Sequence, residues 1–442
     1  MCEGGLDKLK YLIKEKKAKV GVIGVGYVGL PFAMLCCRRG FETWGFDIDK
    51  SKIKKLEKGI SYIDDVSSKE VLNFVKEGFF KPVSDFSFLK EMDVIVITVP
   101  TPVDDSKNPD LSFVKRASYQ ISENMGKLPK LIILKSTTYP GTTEEIILPI
   151  IEKKGYKVGK DFYLAFSPER VDPGNKKYPI EKIPAVVGGV TQSCRKISEI
   201  FYKHLVNEVK VVSSPRVAEM SKLLENLFRN VNIALVNEIA QLCDRMKLSV
   251  WEVIEAASTK PFGFMPFYPG PGVGGHCIPV DPHYLSWKAK FYDFNLSFVE
   301  LASRINESMP YYVVQQIFRI FNKIEKIPSK STIGIIGVSF KRDIADIRHS
   351  PALKIIELLE GIVGEVIYFD PFVHNFKLKN KKYKSADLDE LLENADVVVI
   401  ITDHSNIDWE KVYEKAKVIF DTRNAIKRPS DFKLIKLGEG SV

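Results

Sequence analysis

Between residues 19 and 211 the chain alternates short β-rich runs with helical stretches, and this alternation constrains the fold more than any other feature. The runs are residues 19–23, 43–46, 94–98, 131–135 and 163–166. Strands separated by helices predict parallel βαβ units wound into a sheet covered on both faces. Loops holding proline and glycine follow several runs, at residues 100–102, 140–141 and 168–174. In open α/β sheets such loops, beyond the strand carboxyl ends, are where ligands bind. From Ser331 the alternation resumes, with strands expected at 332–336, 366–369, 397–401 and 418–420.

Residues 214–247 differ. They contain no glycine and, after Pro215, no proline, and Val217, Met220, Leu224, Leu227, Val231, Ala234, Leu235, Ile239 and Leu242 recur at helical spacing. Ser213 or Ser214 can cap the start, with Pro215 in the first turn. One helix of about 33 residues, near 50 Å long, is expected, of the kind that bridges domains or meets a second subunit. Helix continues through 249–326, broken by the Gly/Pro-rich stretch 261–282. The expected fold is α/β: two Rossmann-like, doubly wound parallel sheets joined by a long central helix and a helical middle domain. The expected domains are 1–211, 212–326 and 327–442.

With 45% apolar and 27% charged residues, the 442-residue chain is not disordered, fibrous or a small disulfide scaffold. No apolar run reaches the roughly 18 residues that span a bilayer, and no signal-peptide pattern is present, so a cytoplasmic enzyme without a membrane partner is expected. The net charge of +9 is spread thinly, without aromatic-interleaved basic motifs. A small anionic substrate fits it as well as nucleic acid, and no nucleic-acid partner is expected. The cysteines (2, 36, 37, 194, 243 and 277) form no CxxC pair, so neither a disulfide framework nor a metal site is expected.

Gly24-Val25-Gly26-Tyr27-Val28-Gly29 follows an apolar strand and opens a helix. The first glycine permits the tight turn, the second lets the backbone approach a pyrophosphate, and the third allows close helix–strand packing. Asp47 ends the next strand, where an acid bonds ribose hydroxyls and repels a 2′-phosphate. NAD is therefore the expected cofactor, with Lys52 nearby. A weaker echo runs from Gly334 through Gly337 to Phe340, with Asp370 after the following strand. It reads either as a second nucleotide or substrate half, or as a turn without ligand.

The stretch 270–282 places four glycines within six residues ahead of Cys277. A thiol there can act as a nucleophile, or sit as an inert cysteine beside a backbone loop. Asp281 lies four residues on, so one helical turn would bring carboxylate and thiol together. His276 is adjacent to the cysteine and faces away from it in extended chain, so it is not assigned as a base. Lys222 and Asn226 share one face of the long helix, among neighbours read as apolar. A cation and an amide together can hold an oxyanion, or they can be solvated surface. Ser167-Pro168-Glu169-Arg170 and Thr137 follow strand ends and could position a water, or serve as turn and cap residues.

Together these residues resemble the UDP-glucose/GDP-mannose dehydrogenase family over nearly the whole chain. GVGYVG, VPTP, KSTTYPGTT, SPER, KxxxN, GGHCIPVDP and FKRDIADIR stand in the family's order. Residues 261–270 with GGHCIPVDP resemble the branch acting on UDP-N-acetylhexosamines, above all the UDP-N-acetyl-D-glucosamine 6-dehydrogenases. The resemblance implies two hydride transfers to two NAD+, taking a sugar C6 alcohol to a carboxylate through a Cys277 thiohemiacetal and thioester. UDP-N-acetyl-D-mannosamine and UDP-glucose are the alternative substrates. A two-electron alcohol dehydrogenase with an inert Cys277 and a nucleotide sensor are the alternative functions. The resemblance further implies that Lys222 and Asn226 steady the oxyanion, that Asp281 assists Cys277, and that Glu169 and Thr137 take proton and water roles. Thr101, Thr137 and Arg348 match cofactor positions. Glu169, Arg170, Lys222, Asn226, Tyr268, Gly270, Gly272, Gly274, Lys341 and Arg423 match substrate positions. A homodimer through the central helix is implied, with Lys260 reaching the partner's site. A second family glutamate is replaced by Pro173, with Asp172 beside it.

Overall fold

The protein is described from a computed structural model covering all residues except 1–2, 64, 105, 128, 173–176, 276 and 441–442. It divides into two compact units, residues 1–225 with 283–294, and residues 226–282 with 295–442. The division falls inside the long helix.

The first unit is built on an eight-stranded sheet of β1 (Val20–Ile23), β2 (Thr43–Phe46), β3 (Phe80–Val83), β4 (Val94–Ile97), β5 (Lys130–Leu134), β6 (Phe162–Phe166), β7 (Ala185–Gly189) and β8 (Val209–Val212). Its order is β3-β2-β1-β4-β5-β6-β7-β8, parallel except between β6 and β7. β1, β4, β5 and β6 are buried along their whole length, because helices cover both faces of the sheet. β3 contains Pro82, and the alternation in the sequence did not reveal it. At the sheet edge the missing N–H costs no ladder bond. The strand order reverses between β1 and β4, which opens a crevice at the carboxyl ends of the parallel strands.

The second unit holds a five-stranded parallel sheet of β9 (Thr332–Ile336), β10 (Glu365–Phe369), β13 (Val397–Ile400), β14 (Ile419–Asp421) and β15 (Leu434–Lys436). Its order is β10-β9-β13-β14-β15, and a hairpin of β11 (Asn375–Leu378) and β12 (Lys381–Lys384) lies apart. The Ser297–Lys323 helix lays Met309, Val313, Ile317, Ile320 and Phe321 against Ile333, Ile335 and Val399 of this sheet.

The long helix spans Pro215–Met246, 32 residues, as its composition predicted. Ala218, Leu223, Leu227, Ala234, Ala240 and Cys243 are buried. Val217, Met220, Leu224, Phe228, Leu235, Leu242 and Met246 form a second, exposed apolar face. The surroundings of Lys222 and Asn226 are not apolar, contrary to the sequence reading. Glu219, Asn230 and Asn237 extend the same helical stripe, and all five are buried. No helix among the described residues is long and apolar enough to cross a membrane.

Candidate active site

In the first unit, the turn after β1 adopts the form its glycines predict. Gly24 has φ +93°, and a β-carbon there would stand 3.0 Å from the Thr98 carbonyl oxygen. At Gly29 a β-carbon would overlap the Gly24 carbonyl oxygen and lie 2.6 Å from Thr98 Oγ1. At Gly26 it would meet nothing within 4 Å. The fold therefore requires Gly24 and Gly29 but not Gly26, whose bare face is open to a ligand. Val28 provides no side-chain cap for the Gly29–Arg38 helix; the Leu30 N–H bonds the Gly26 carbonyl and Pro31 has none, so it is the dipole of the helix N-terminus that favours a phosphate there. Asp47 accepts the Val25 N–H on one oxygen (3.1 Å) and the Asp49 N–H on the other (2.9 Å). Lys52 Nζ stands 3.8 Å from the same carboxylate, and Tyr62 donates to the Val25 carbonyl at 2.6 Å. Tyr27 is exposed. These residues fit a dinucleotide.

The loops after β4, β5 and β6 open on the same edge of the sheet, because these strands are parallel to β1. Thr101 and Thr137 are both half-buried. Glu169 Oε1 accepts the N–H groups of Arg170 (2.7 Å) and Val171 (2.9 Å), and Oε2 lies 3.4 Å from the buried Lys135 ammonium. Arg170 in turn pairs with Glu225 at 2.9 Å and donates to the Pro184 carbonyl. Pro173 lies outside the described residues.

Glu219 was not singled out in the sequence, yet it fixes this region. Its buried carboxylate accepts the Gly141 N–H (2.5 Å), the Thr143 N–H (2.9 Å) and the Thr143 hydroxyl (2.7 Å). Burial outweighs those donors and pushes its carboxyl from 4.5 up to about 7. The folded state then keeps a proton that the unfolded chain releases, so stability falls as pH rises from 4.5 toward 7. We predict that Glu219→Gln removes a slope of about 3 kcal/mol across that window. Urea denaturation at stepped pH measures it, and an unchanged slope would assign the effect to other groups.

In the second unit, the backbone around Cys277 forms the expected helical turn. The Cys277 carbonyl accepts the N–H groups of Val280 (3.1 Å) and Asp281 (2.8 Å), and the thiol residue is half-buried. Asp281 is buried and opens the next helix, where its carboxylate accepts the Asn226 amide. His276 lies outside the described residues. Gly272 and Gly275 take φ +134° and +82°, and the Gly275 N–H bonds the Arg348 carbonyl at 2.9 Å. A β-carbon on Gly274 would press on Phe340, and one on Gly270 would overlap the Arg423 guanidinium. The cysteine loop thus packs directly on the segments carrying Lys341, Arg348 and Arg423. Burial pulls the Arg423 pKa below the usual arginine range, with Asp403 and Asp421 opposing that shift. Tyr268 stacks on Trp251 at 6.2 Å. Lys260 is exposed and lies over the Phe262 ring, and Arg348 pairs with Asp346.

Comparison with known proteins agrees with both halves of this picture. Models of the UDP-glucose/GDP-mannose dehydrogenase family match residues 18–206 (NAD-binding domain), 216–308 (central domain) and 334–428 (UDP-binding domain). A UDP-N-acetyl-D-mannosamine dehydrogenase from Pyrococcus horikoshii is 37% identical, covering 96% of this chain and 100% of its own. The chain belongs to the UDP-glucose/GDP-mannose dehydrogenase family. A UDP-N-acetyl-D-glucosamine 6-dehydrogenase from Pseudomonas aeruginosa is 36% identical over 81% of this chain and 84% of its own. A solved UDP-D-ManNAc dehydrogenase from Pyrococcus horikoshii superposes with TM-score 0.87 at 34% identity, covering 96% of this chain and all of that one. The protein is thus an NAD-dependent UDP-sugar dehydrogenase of that family.

The dehydrogenase's second glycine turn uses its acid differently from the first. Asp370 Oδ2 accepts the Val338 and Ser339 N–H groups and faces His404 Nε2 at 3.2 Å, while Oδ1 accepts from Phe372 and Val373. His404 Nδ1 takes the Asp343 N–H at 3.0 Å, which leaves Nε2 as the protonated nitrogen facing Asp370. Asp370 and His404 are buried, and this acid locks the turn that precedes Lys341. His404 carried no sequence signal and Lys135, though it opens the KSTTYPGTT motif, was given no role, because each partner comes from a distant segment.

Proposed function

We propose that the protein oxidises the C6 alcohol of a UDP-N-acetylhexosamine to the carboxylate, a four-electron change. The observation that carries this reading is the half-buried Cys277 on a turn locked by Asp281 and Asn226, in a chain with an intact dinucleotide cradle. Bound NAD+ supplies the hydride acceptor. Cys277 adds to the aldehyde, holding it as a thiohemiacetal and then as a thioester that water opens. The Asn226 amide has two hydrogens. One goes to Asp281, and we read the second as the donor to an oxyanion; Lys222, which is buried, is read in the same role from the family resemblance. Asp281 assists Cys277 in proton movement. Thr137 and Glu169 take the water-handling role, with Lys135 holding the glutamate in place. Lys341, Arg423 and the 268–274 loop bind the sugar nucleotide.

Between the two leading epimers we place UDP-N-acetyl-D-mannosamine first, ahead of the glucosamine epimer favoured by the sequence reading. Its namesake relative aligns over nearly the whole chain. UDP-N-acetyl-D-glucosamine remains the second reading because its relative is almost as similar. We further read the exposed apolar face of the long helix as the homodimer contact, since a stripe this size is unusual on a monomer. A monomer in sedimentation equilibrium would refute that. The test of the function is NADH formed per sugar across a panel of UDP-sugars. Two NADH per N-acetylhexosamine are expected, and one NADH with aldehyde accumulating would reduce the enzyme to a simple alcohol dehydrogenase.

A further inference from the structure

Three buried asparagines in the second unit form a hydrogen-bond chain whose direction is set by the backbone. The Gly270 N–H donates to Asn237 Oδ1 at 2.9 Å. Asn237 Nδ2 donates to Asn306 Oδ1 at 2.9 Å. Asn306 Nδ2 donates to Asn230 Oδ1 (2.9 Å) and to the Asn230 carbonyl (3.0 Å). Asn230 Nδ2 reaches Ser303 Oγ at 3.2 Å. A peptide N–H can only donate, so Asn237 must turn its oxygen to Gly270, and each later amide is then oriented in turn. A peptide carbonyl can only accept, so the Asn230 backbone independently demands the same orientation of Asn306. Two backbone anchors agree, and the amide assignments do not rest on the side chains alone.

The chain ends on the cysteine loop. Asn237 holds Gly270 at the loop's entry, and Asn226 holds Asp281 at its exit. These two asparagines lie eleven residues apart on one helix, about three turns or roughly 16 Å. The described residues of the glycine-rich span between them are neither helix nor strand before the turn at Cys277. Its reach is therefore set by a rigid rod gripping both ends. On its other side, Gly270 is backed by the Arg423 guanidinium. If Asn237 lost its oxygen, the buried Gly270 N–H would have no acceptor, and the entry of the loop would have to move toward water.

We propose that Asn237, oriented through Asn306 and Asn230, is a positioning residue for Cys277. Its role in turnover rests on the dehydrogenase reading above, but its grip on the loop does not. Hydrogen exchange tests the grip without substrate. In the unmodified protein the Gly270 amide should exchange at least about tenfold more slowly than an open loop amide. Asn237→Leu should abolish that protection and leave exchange in β9, β13 and β14 unchanged. With substrate, the same variant should lower kcat about 10- to 100-fold while the KM for NAD+ stays within about twofold. Asn306→Leu, which leaves the Asn237 oxygen in place but unoriented, should give an intermediate loss of both. A Gly270 amide that exchanges freely in the unmodified protein overturns the proposal, and this holds even if neither variant folds. Unchanged kcat in a folded Asn237→Leu protein also overturns it. Slow Gly270 exchange in a protein that reduces no NAD+ with any UDP-sugar would sink the dehydrogenase reading and leave the loop anchor standing.

Discussion

Cys277→Ser is expected to slow acid formation by about three orders of magnitude or more, with NAD+ affinity held within about twofold. A serine hydroxyl can occupy the same space on the turn. It is a far weaker nucleophile at neutral pH, and an oxygen ester yields to water less readily than a thioester. No other described cysteine can substitute. Cys36, Cys37, Cys194 and Cys243 are buried, and burial pushes the Cys37 thiol up to about 12 and the Cys36 thiol well above its ordinary value. Cys277 is the half-buried exception, on a turn whose carbonyl is already satisfied by two N–H groups. The measurement is rapid quench followed by mass spectrometry of the Cys277 peptide. A sugar-bearing adduct should accumulate in the unmodified protein and be absent in the serine variant. If the variant still delivers two NADH per sugar at an undiminished rate, the covalent route is wrong and Cys277 is structural.

What the sequence disclosed and what it hid divide along the distance between partners. The 24–29 turn was legible because its requirements are local: a positive φ at Gly24 and a close approach at Gly29 arise within one strand–helix crossover. The long helix was legible because thirty residues without a breaker allow little else. The cysteine turn was legible from the four-residue spacing of Cys277 and Asp281. The buried polar stripe was not. Asn230 and Asn237 look like ordinary helix-surface residues until Ser303, Asn306 and Gly270 arrive from far along the chain. Asp47 and Asp370 show the limit most clearly. Both follow the second strand of a βαβ unit, yet His404 and four backbone N–H groups engage Asp370 from inside the fold. Strand β3 was hidden for another reason: Pro82 contradicts a strand unless the edge position is known.

The two glycines of the first turn should separate folding from cofactor binding. Gly29→Ala is expected to destabilise the first unit by about 3 kcal/mol or more, because its β-carbon would overlap a backbone oxygen that the crossover cannot move. Gly26→Ala should change stability by less than about 1 kcal/mol, since nothing in the protein stands within 4 Å of the added carbon. Its effect should fall on the ligand. The methyl group would project where the pyrophosphate must lie close to the backbone, and NAD+ affinity should drop at least about tenfold. Thermal unfolding with and without NAD+ reads both effects at once, because a ligand at free concentration L that binds only the folded state raises its stability by RT ln(1 + L/Kd), which shrinks as Kd rises. The unmodified protein should gain stability from NAD+. Gly26→Ala should match it without NAD+ and gain much less with it, while Gly29→Ala should start lower. A Gly26→Ala protein that gains as much as the original would mean that the open face of the turn does not hold the cofactor's phosphates. The uncapped Gly29–Arg38 helix and Asp47 would then have to bind it from another direction.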